Sequence, residues 1–142
     1  MNEQEIMAAT QEMELLRAQL DNMHKQGEFI HITLEEYSRA KGALEELKDK
    51  KEGDDILVPI GANCWVHATL GNTSKAIASI GSNLAVGQKF EAIIERLDRQ
   101  LEEIKNAQNE LSGKLAKAEA RANDLSAILE EVYEQMEANR AK

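Results

Sequence analysis

Ile56-Leu57-Val58-Pro59-Ile60-Gly61-Ala62-Asn63-Cys64-Trp65-Val66-His67-Ala68-Thr69-Leu70, and after Gly71-Asn72-Thr73-Ser74 the run Lys75-Ala76-Ile77-Ala78-Ser79-Ile80-Gly81-Ser82-Asn83-Leu84-Ala85-Val86, is the stretch on which the fold turns. Ile56 to Ile60 is apolar and rich in β-branched residues, which suits an extended strand, and Gly61-Ala62-Asn63 supplies a turn. Residues 64–70 alternate: Cys64, Val66, Ala68 and Leu70 fall on one face, Trp65, His67 and Thr69 on the other. Gly71-Asn72-Thr73-Ser74 breaks the chain. Lys75 to Ile80 reads as a third strand, Gly81-Ser82-Asn83 as a turn, and Leu84-Ala85-Val86 as a short fourth. The spacing predicts two β-hairpins in tandem. Pro59 cannot donate to a ladder, so the first strand is an edge or begins at a bulge.

Between Ile56 and Gly87 the only formally charged residue is Lys75. The single proline and single tryptophan lie in the same stretch, and all glycines but Gly27, Gly42 and Gly113 fall between Gly53 and Gly87. The flanking arms are dense in Glu, Lys, Arg, Gln, Ala and Leu, residues that favour helix. Both arms carry a seven-residue repeat. In the first, the a and d positions are Ile6, Ala9, Met13, Leu16, Leu20, Met23, Gly27, Ile30, Leu34, Tyr37, Lys41 and Leu44; only Gly27 and Lys41 are not apolar. In the second they are Phe90, Ile94, Leu97, Leu101, Ile104, Gln108, Leu111, Leu115, Ala118, Ala122, Leu125, Leu129, Val132 and Met136, with Gln108 the exception. At 42% apolar residues overall, chance would fill about six of those fourteen positions. The repeat therefore predicts a left-handed coiled coil.

The expected fold is mainly α with a small β part: a long antiparallel α-helical coiled-coil hairpin joined by two β-hairpins. Residues 1–52 form the first helix, 53–87 the hairpins and 88–142 the second helix, together one structural unit. Matched arm lengths, each roughly 70 Å at 1.5 Å per residue, and a compact connector favour this over parallel pairing of each helix with another chain. Two small hairpins are not stable alone in water, and open strand edges invite uncontrolled pairing. A two-helix coiled coil cannot wrap over them. The hairpins are therefore expected to close with those of other chains into an intermolecular β-barrel, through Ile56, Val58, Ile60, Val66, Ala68, Leu70, Ile77, Ile80, Leu84 and Val86.

Composition narrows the function. With 17 basic and 26 acidic residues the chain carries −9 at pH 7, which disfavours nucleic acid and anionic membranes. No apolar run reaches the roughly 20 residues of a membrane span. One cysteine, Cys64, excludes an intrachain disulfide and suits a reducing cytoplasm. Cys64 and His67 resemble half of a zinc site, but their spacing on a strand sends them to opposite faces. His24 and His31 lie beside the helical seam as solvated residues. There is no phosphate-binding glycine motif, and no acidic pair is singled out for acid–base work. Neither an enzyme nor a cofactor is expected.

All five methionines lie in the arms, and a hairpin gathers Met1, Met7, Met13 and Met136 at the end where the termini meet. Methionine is flexible and polarizable, which suits a surface that accepts many partners. Met7, Ile128 and Tyr133 fall off the seam, and with Ile6, Leu129 and Val132 they form an apolar tip. The bland reading, that Met13, Met23 and Met136 simply fill the seam, stays open.

The run Ile56-Leu57-Val58-Pro59-Ile60-Gly61-Ala62-Asn63-Cys64-Trp65-Val66-His67-Ala68, with Asn72-Thr73-Ser74-Lys75 and Ile80-Gly81-Ser82-Asn83-Leu84-Ala85-Val86, resembles the alpha class of the prefoldin family of chaperones, also called GimC. The order helix, two hairpins, helix covers essentially the whole chain; the beta class has one hairpin. Cys64-Trp65 departs mildly from the small residue and Phe usual there. The absence of extensions resembles archaeal members. The resemblance implies a hexamer of two alpha and four beta subunits on a double β-barrel. It also implies capture of unfolded client proteins at the coiled-coil ends without ATP, and delivery to a group II chaperonin. Met1, Ile6, Met7, Met13, Val132, Tyr133 and Met136 are the client-binding candidates. The alternative is a structural or tethering coiled-coil oligomer that binds no client.

Overall fold

A computed structural model of the chain describes residues 1–72 and 74–142. Thr73, part of the expected break and of the Asn72-Thr73-Ser74-Lys75 motif, lies outside the described residues. The order is α1 (Glu3–Lys48), β1 (Asp55–Gly61), β2 (Cys64–Thr69), β3 (Lys75–Gly81), β4 (Leu84–Lys89) and α2 (Phe90–Arg140). Two long helices therefore enclose, in sequence, two antiparallel β-hairpins. The chain divides into two compact units, Met1–Ile32 with Lys105–Lys142, and Thr33–Ile104.

α1 begins at a reciprocal cap. The Glu5 amide donates to Asn2 Oδ1 at 2.8 Å, and the Asn2 amide donates to Glu5 Oε2 at 2.9 Å. Two donors that the helix itself cannot satisfy are thereby paired. In the terminal unit, Glu12 of α1 meets Arg121 of α2, and a Cβ at Gly27 would lie 3.6 Å from Leu111 Cδ2. Moving forward on one helix is moving back on the other, so the segments run antiparallel. Ala9, Met13 and Leu125 form the buried cluster here, with Leu16, Ala122 and Leu129 packed against it.

In the other unit, Phe90, Ile93, Leu97 and Leu101 of α2 are buried. All twelve expected seam positions of α1 are buried or half-buried, and so are those of α2 except Met136. Ile93 is buried as well as its expected neighbour Ile94 being half-buried, so the apolar face is one residue wider at the start of α2. Lys41, the charged exception on the seam, pairs with Asp98 across the helices and with Glu45 on its own helix.

β1 pairs with β2 and β3 with β4, as two separate two-stranded sheets. The two hairpins have the same register, each position of the second lying 20 residues after the first: Asp55↔Thr69 becomes Lys75↔Lys89, and Gly61↔Cys64 becomes Gly81↔Leu84. Both ladders slip by one residue, before Gly61 and before Gly81, leaving Ile60 and Ile80 as bulge residues. Both turns have positive φ at the two central positions, Ala62 (50°) and Asn63 (58°), Ser82 (50°) and Asn83 (60°). That conformation matches the right-handed twist of the strands.

Several element boundaries differ from expectation, most of all at β4 and at the inner ends of the two helices. β4 continues to Lys89, past Val86, because Gly87, Gln88 and Lys89 stay in register with Ile77, Ala76 and Lys75. The strand then passes straight into α2, and the Phe90 amide donates to the Ser74 carbonyl at 3.2 Å. α1 stops at Lys48, and residues 49–54 make a turn in which the Lys51 amide donates to Asp54 Oδ2 at 2.8 Å.

Candidate functional site

The register sorts the hairpin side chains into faces. Ile56, Val58, Val66 and Ala68 share one face of the first hairpin, through the pairs Ile56↔Ala68 and Val58↔Val66. Leu57, His67, Pro59 and Trp65 share the other, through Leu57↔His67 and Pro59↔Trp65. Both faces are apolar and both are open: Val58, Val66, Leu57, Ile60 and Trp65 are all exposed. In the second hairpin Ala78↔Val86 lies on one face and Ile77↔Gly87 on the other. Ile77, opposite a residue with no side chain, is 81% exposed; Ile80, Leu84 and Val86 are exposed too. Among the described residues no strand position is fully buried. Of the ten residues expected in oligomerisation, only Ile56, Ala68 and Leu70 are even half-buried. Two strands carry no second layer of their own, so this apolar area needs cover from outside.

Cys64 and His67 fall on opposite faces of β2, as their spacing requires. Cys64 is an exposed free thiol. Among the described residues no three His, Cys, Asp or Glu side chains converge as metal ligands, and no helix is long and apolar enough to cross a membrane.

At the chain ends, Met1, Met7, Tyr133 and Met136 are exposed, while Ile6 and Val132 are half-buried on the seam. Met13 is corrected as an accessible tip residue: it is only 8% exposed and packs in the cluster with Ala9 and Leu125. It stands at an a position, and the seam claims it. Leu15, Phe29 and Ile32 are further exposed apolar residues of α1, outside the expected tip. A signal for two of them was present, since Met1, Ala8, Leu15 and Phe29 repeat at intervals of seven or fourteen on an edge outside the seam.

An ion pair ties the terminal unit across the helices. Arg121 Nε donates to Glu12 Oε1 at 2.7 Å and Nη2 donates to Oε2 at 2.9 Å. These hydrogen bonds, and the guanidinium charge, hold the Glu12 carboxyl below its ordinary range and raise Arg121 above its own. The Lys41 ammonium is raised likewise, first by its hydrogen bond to Asp98.

Comparison with known proteins places this architecture. The family model described as prefoldin subunit matches residues 3–135. The prefoldin subunit alpha of Pyrococcus horikoshii is 29% identical over 134 residues, covering 94% of this chain and 90% of that protein. That of Nitrosopumilus maritimus is 26% identical over 140 residues, covering 96% and 94%. Two solved structures share the fold. Filamentous PFD from Methanocaldococcus jannaschii, solved by cryo-EM, has a TM-score of 0.66 at 20% identity, over 83% of this chain and 98% of that one. The crystallographic prefoldin beta subunit from Thermococcus strain KS-1 has a TM-score of 0.60 at 16% identity, over 90% and 91%. The family match runs through α1, all four strands and most of α2, and the chain belongs to the prefoldin family.

Proposed function

We propose that this chain is the two-hairpin, alpha-class subunit of a prefoldin-type chaperone, two copies assembling with four single-hairpin beta-class subunits. The hairpins of all six close into an intermolecular β-barrel. The ends of the arms hold non-native polypeptides without ATP and pass them to a group II chaperonin, in the cytoplasm. The chain has no catalytic role in this reading, and prefoldin is a family of chaperones rather than of enzymes. The observation that carries the proposal is the pair of hairpins whose apolar residues are open on both faces, Val58 and Val66 on one, Leu57 and Trp65 on the other. Relatives named prefoldin subunit alpha support the class of subunit. The exposed Met1, Met7, Tyr133 and Met136 support client contact at the chain ends, because flexible apolar side chains can follow varied sequences. Several arms on one client would multiply weak contacts.

The experiment is co-expression with a single-hairpin partner, followed by measurement of the mass of the complex and of its suppression of aggregation. Val58→Asp should abolish assembly by placing an unpaired charge in the barrel wall. Removing residues 1–8 and 130–142 should leave assembly intact and reduce protection of a denatured test protein. A full-sized complex from Val58→Asp contradicts the barrel, equal protection by the trimmed complex means that the ends of this chain are not where the client is held, and no protection by the untrimmed complex leaves only the tethering role.

A further inference from the structure

Within the unit of Met1–Ile32 and Lys105–Lys142, an open groove of about 520 Å³ lies along one flank of the two helices. Leu16 and Met23 of α1 and Ala118 of α2 give it an apolar lining. Lys114, Lys117 and Arg121 line it from α2, while α1 contributes the neutral Gln19 and Asn22. Three cations and no carboxylate line this groove, on a chain whose formal charge is −9.

The register explains the imbalance. Gln19 is one heptad after Glu12, and Lys114 is one heptad before Arg121. In an antiparallel pair those two steps go together, so Gln19 stands opposite Lys114 as Glu12 stands opposite Arg121. The Glu12–Arg121 rung is closed by two hydrogen bonds. The next rung sets an amide where an acid would match. Leu15, one heptad before Asn22 and so on the same edge of α1, is an exposed apolar residue beyond the groove lining.

From this we infer that the groove is a second docking site, for an amphipathic segment with carboxylates along the edge of its apolar face. A non-native acidic protein exposes such segments; the inference rests on the chaperone reading for that source, not for the binding itself. The apolar side chains of the segment lie on Leu16, Met23 and Ala118, and methionine adapts to their shape. Its carboxylates reach Lys114 and Lys117. Single exposed ion pairs contribute little, so the cations act mainly through sign: the rest of the acidic chain repels such a segment, and this patch fixes where it lands. The chain ends, with Glu3, Glu5, Glu12 and Glu14 before the first basic residue Arg17, have the opposite preference.

The test uses the full-length chain in complex with its single-hairpin partner. Fluorescence anisotropy is read with two labelled amphipathic peptides of identical apolar positions, one with glutamate and one with lysine at the flanking sites. The acidic peptide should bind more tightly. Gln19→Glu should close the open rung onto Lys114, weakening the acidic peptide about two- to fivefold while leaving helix melting unchanged or higher. Lys114→Glu with Lys117→Glu should reverse the preference between the peptides. Equal affinities for the two peptides, or acidic-peptide affinity unmoved by either variant, overturn the inference. Aggregation suppression by the unmodified complex is measured alongside. Protection without charge-selective peptide binding defeats this site alone, and charge-selective binding without protection defeats the chaperone reading alone.

Discussion

Leu125→Ala is the sharpest probe of how the arms hold together. Leu125 is 3% exposed and packs with Ala9 and Met13, beside Leu16, Ala122 and Leu129. The substitution removes three carbon groups from the seam. At about 0.8 kcal/mol for each buried methylene, the transfer loss is about 2.4 kcal/mol. A cavity left unfilled would carry the cost toward the upper end of the usual range of about 2–5 kcal/mol. Two features of the site argue for the lower end. Met13 has three rotatable bonds and can lean into the gap. A seam between two helices also has no further layer holding them apart, so they can close. Helix propensity is nearly neutral between leucine and alanine. The expected loss is therefore about 2–3 kcal/mol. Urea unfolding of the complex followed by far-ultraviolet circular dichroism measures it, with amide exchange at residues 9–16 and 122–129 locating it. Leu15→Ala, at a site 61% exposed, is the control and should change stability by less than about 0.5 kcal/mol. Equal losses from the two variants, or none from Leu125→Ala, would refute the seam assignment.

Gly27→Ala should stabilise the arms by about 1 kcal/mol, since alanine favours helix and its methyl meets Leu111 at an ordinary contact distance of 3.6 Å; thermal melting checks it, and a lower midpoint means the helices approach more closely there. Arg121→Ala should flatten the acid limb of the stability curve. The Glu12 carboxyl is lowered in the folded chain, so its contribution is complete above its ordinary value of 4.5 and fades as pH falls through the lowered one. Melting midpoints of wild type and variant that keep a constant gap across that range contradict the assignment. Gly81→Ala, at φ 101°, should cost about 1 kcal/mol or more and impair assembly with the partner, whereas Asn83→Gly, already at φ 60°, should assemble normally; gel filtration separates the two.

The fold was largely legible from local rules. A repeat of seven with apolar a and d residues marks the one stripe that must be buried, so the seam from Ile6 to Leu44 and from Phe90 to Val132 could be read before any contact was seen. The hairpins were legible because period-two alternation and Gly-Ala-Asn and Gly-Ser-Asn turns are local signals. The 20-residue correspondence between the hairpins was also present in the sequence, as Ile60-Gly61 with Asn63 and Ile80-Gly81 with Asn83, but the register made it plain.

What needed tertiary structure were the properties set by a facing element. Gly87 reads locally as the end of a strand, yet pairing with Ile77 keeps it within one. Met13 stands on the seam and Met7 off it, but Met13 also lay in the expected tip, and its packing with Ala9 and Leu125 across the seam is what decides between the two readings. Lys41 looks like a defect in the repeat until Asp98 is found beside it. The cationic groove is invisible in a chain that is acidic overall, because composition sums the charge whereas two antiparallel helices sort it, setting Lys114 against Gln19 one heptad from the closed Glu12–Arg121 rung. Pattern along the chain determines which face of each element is apolar; which residue meets it depends on the register between elements, and that is decided only when they pack.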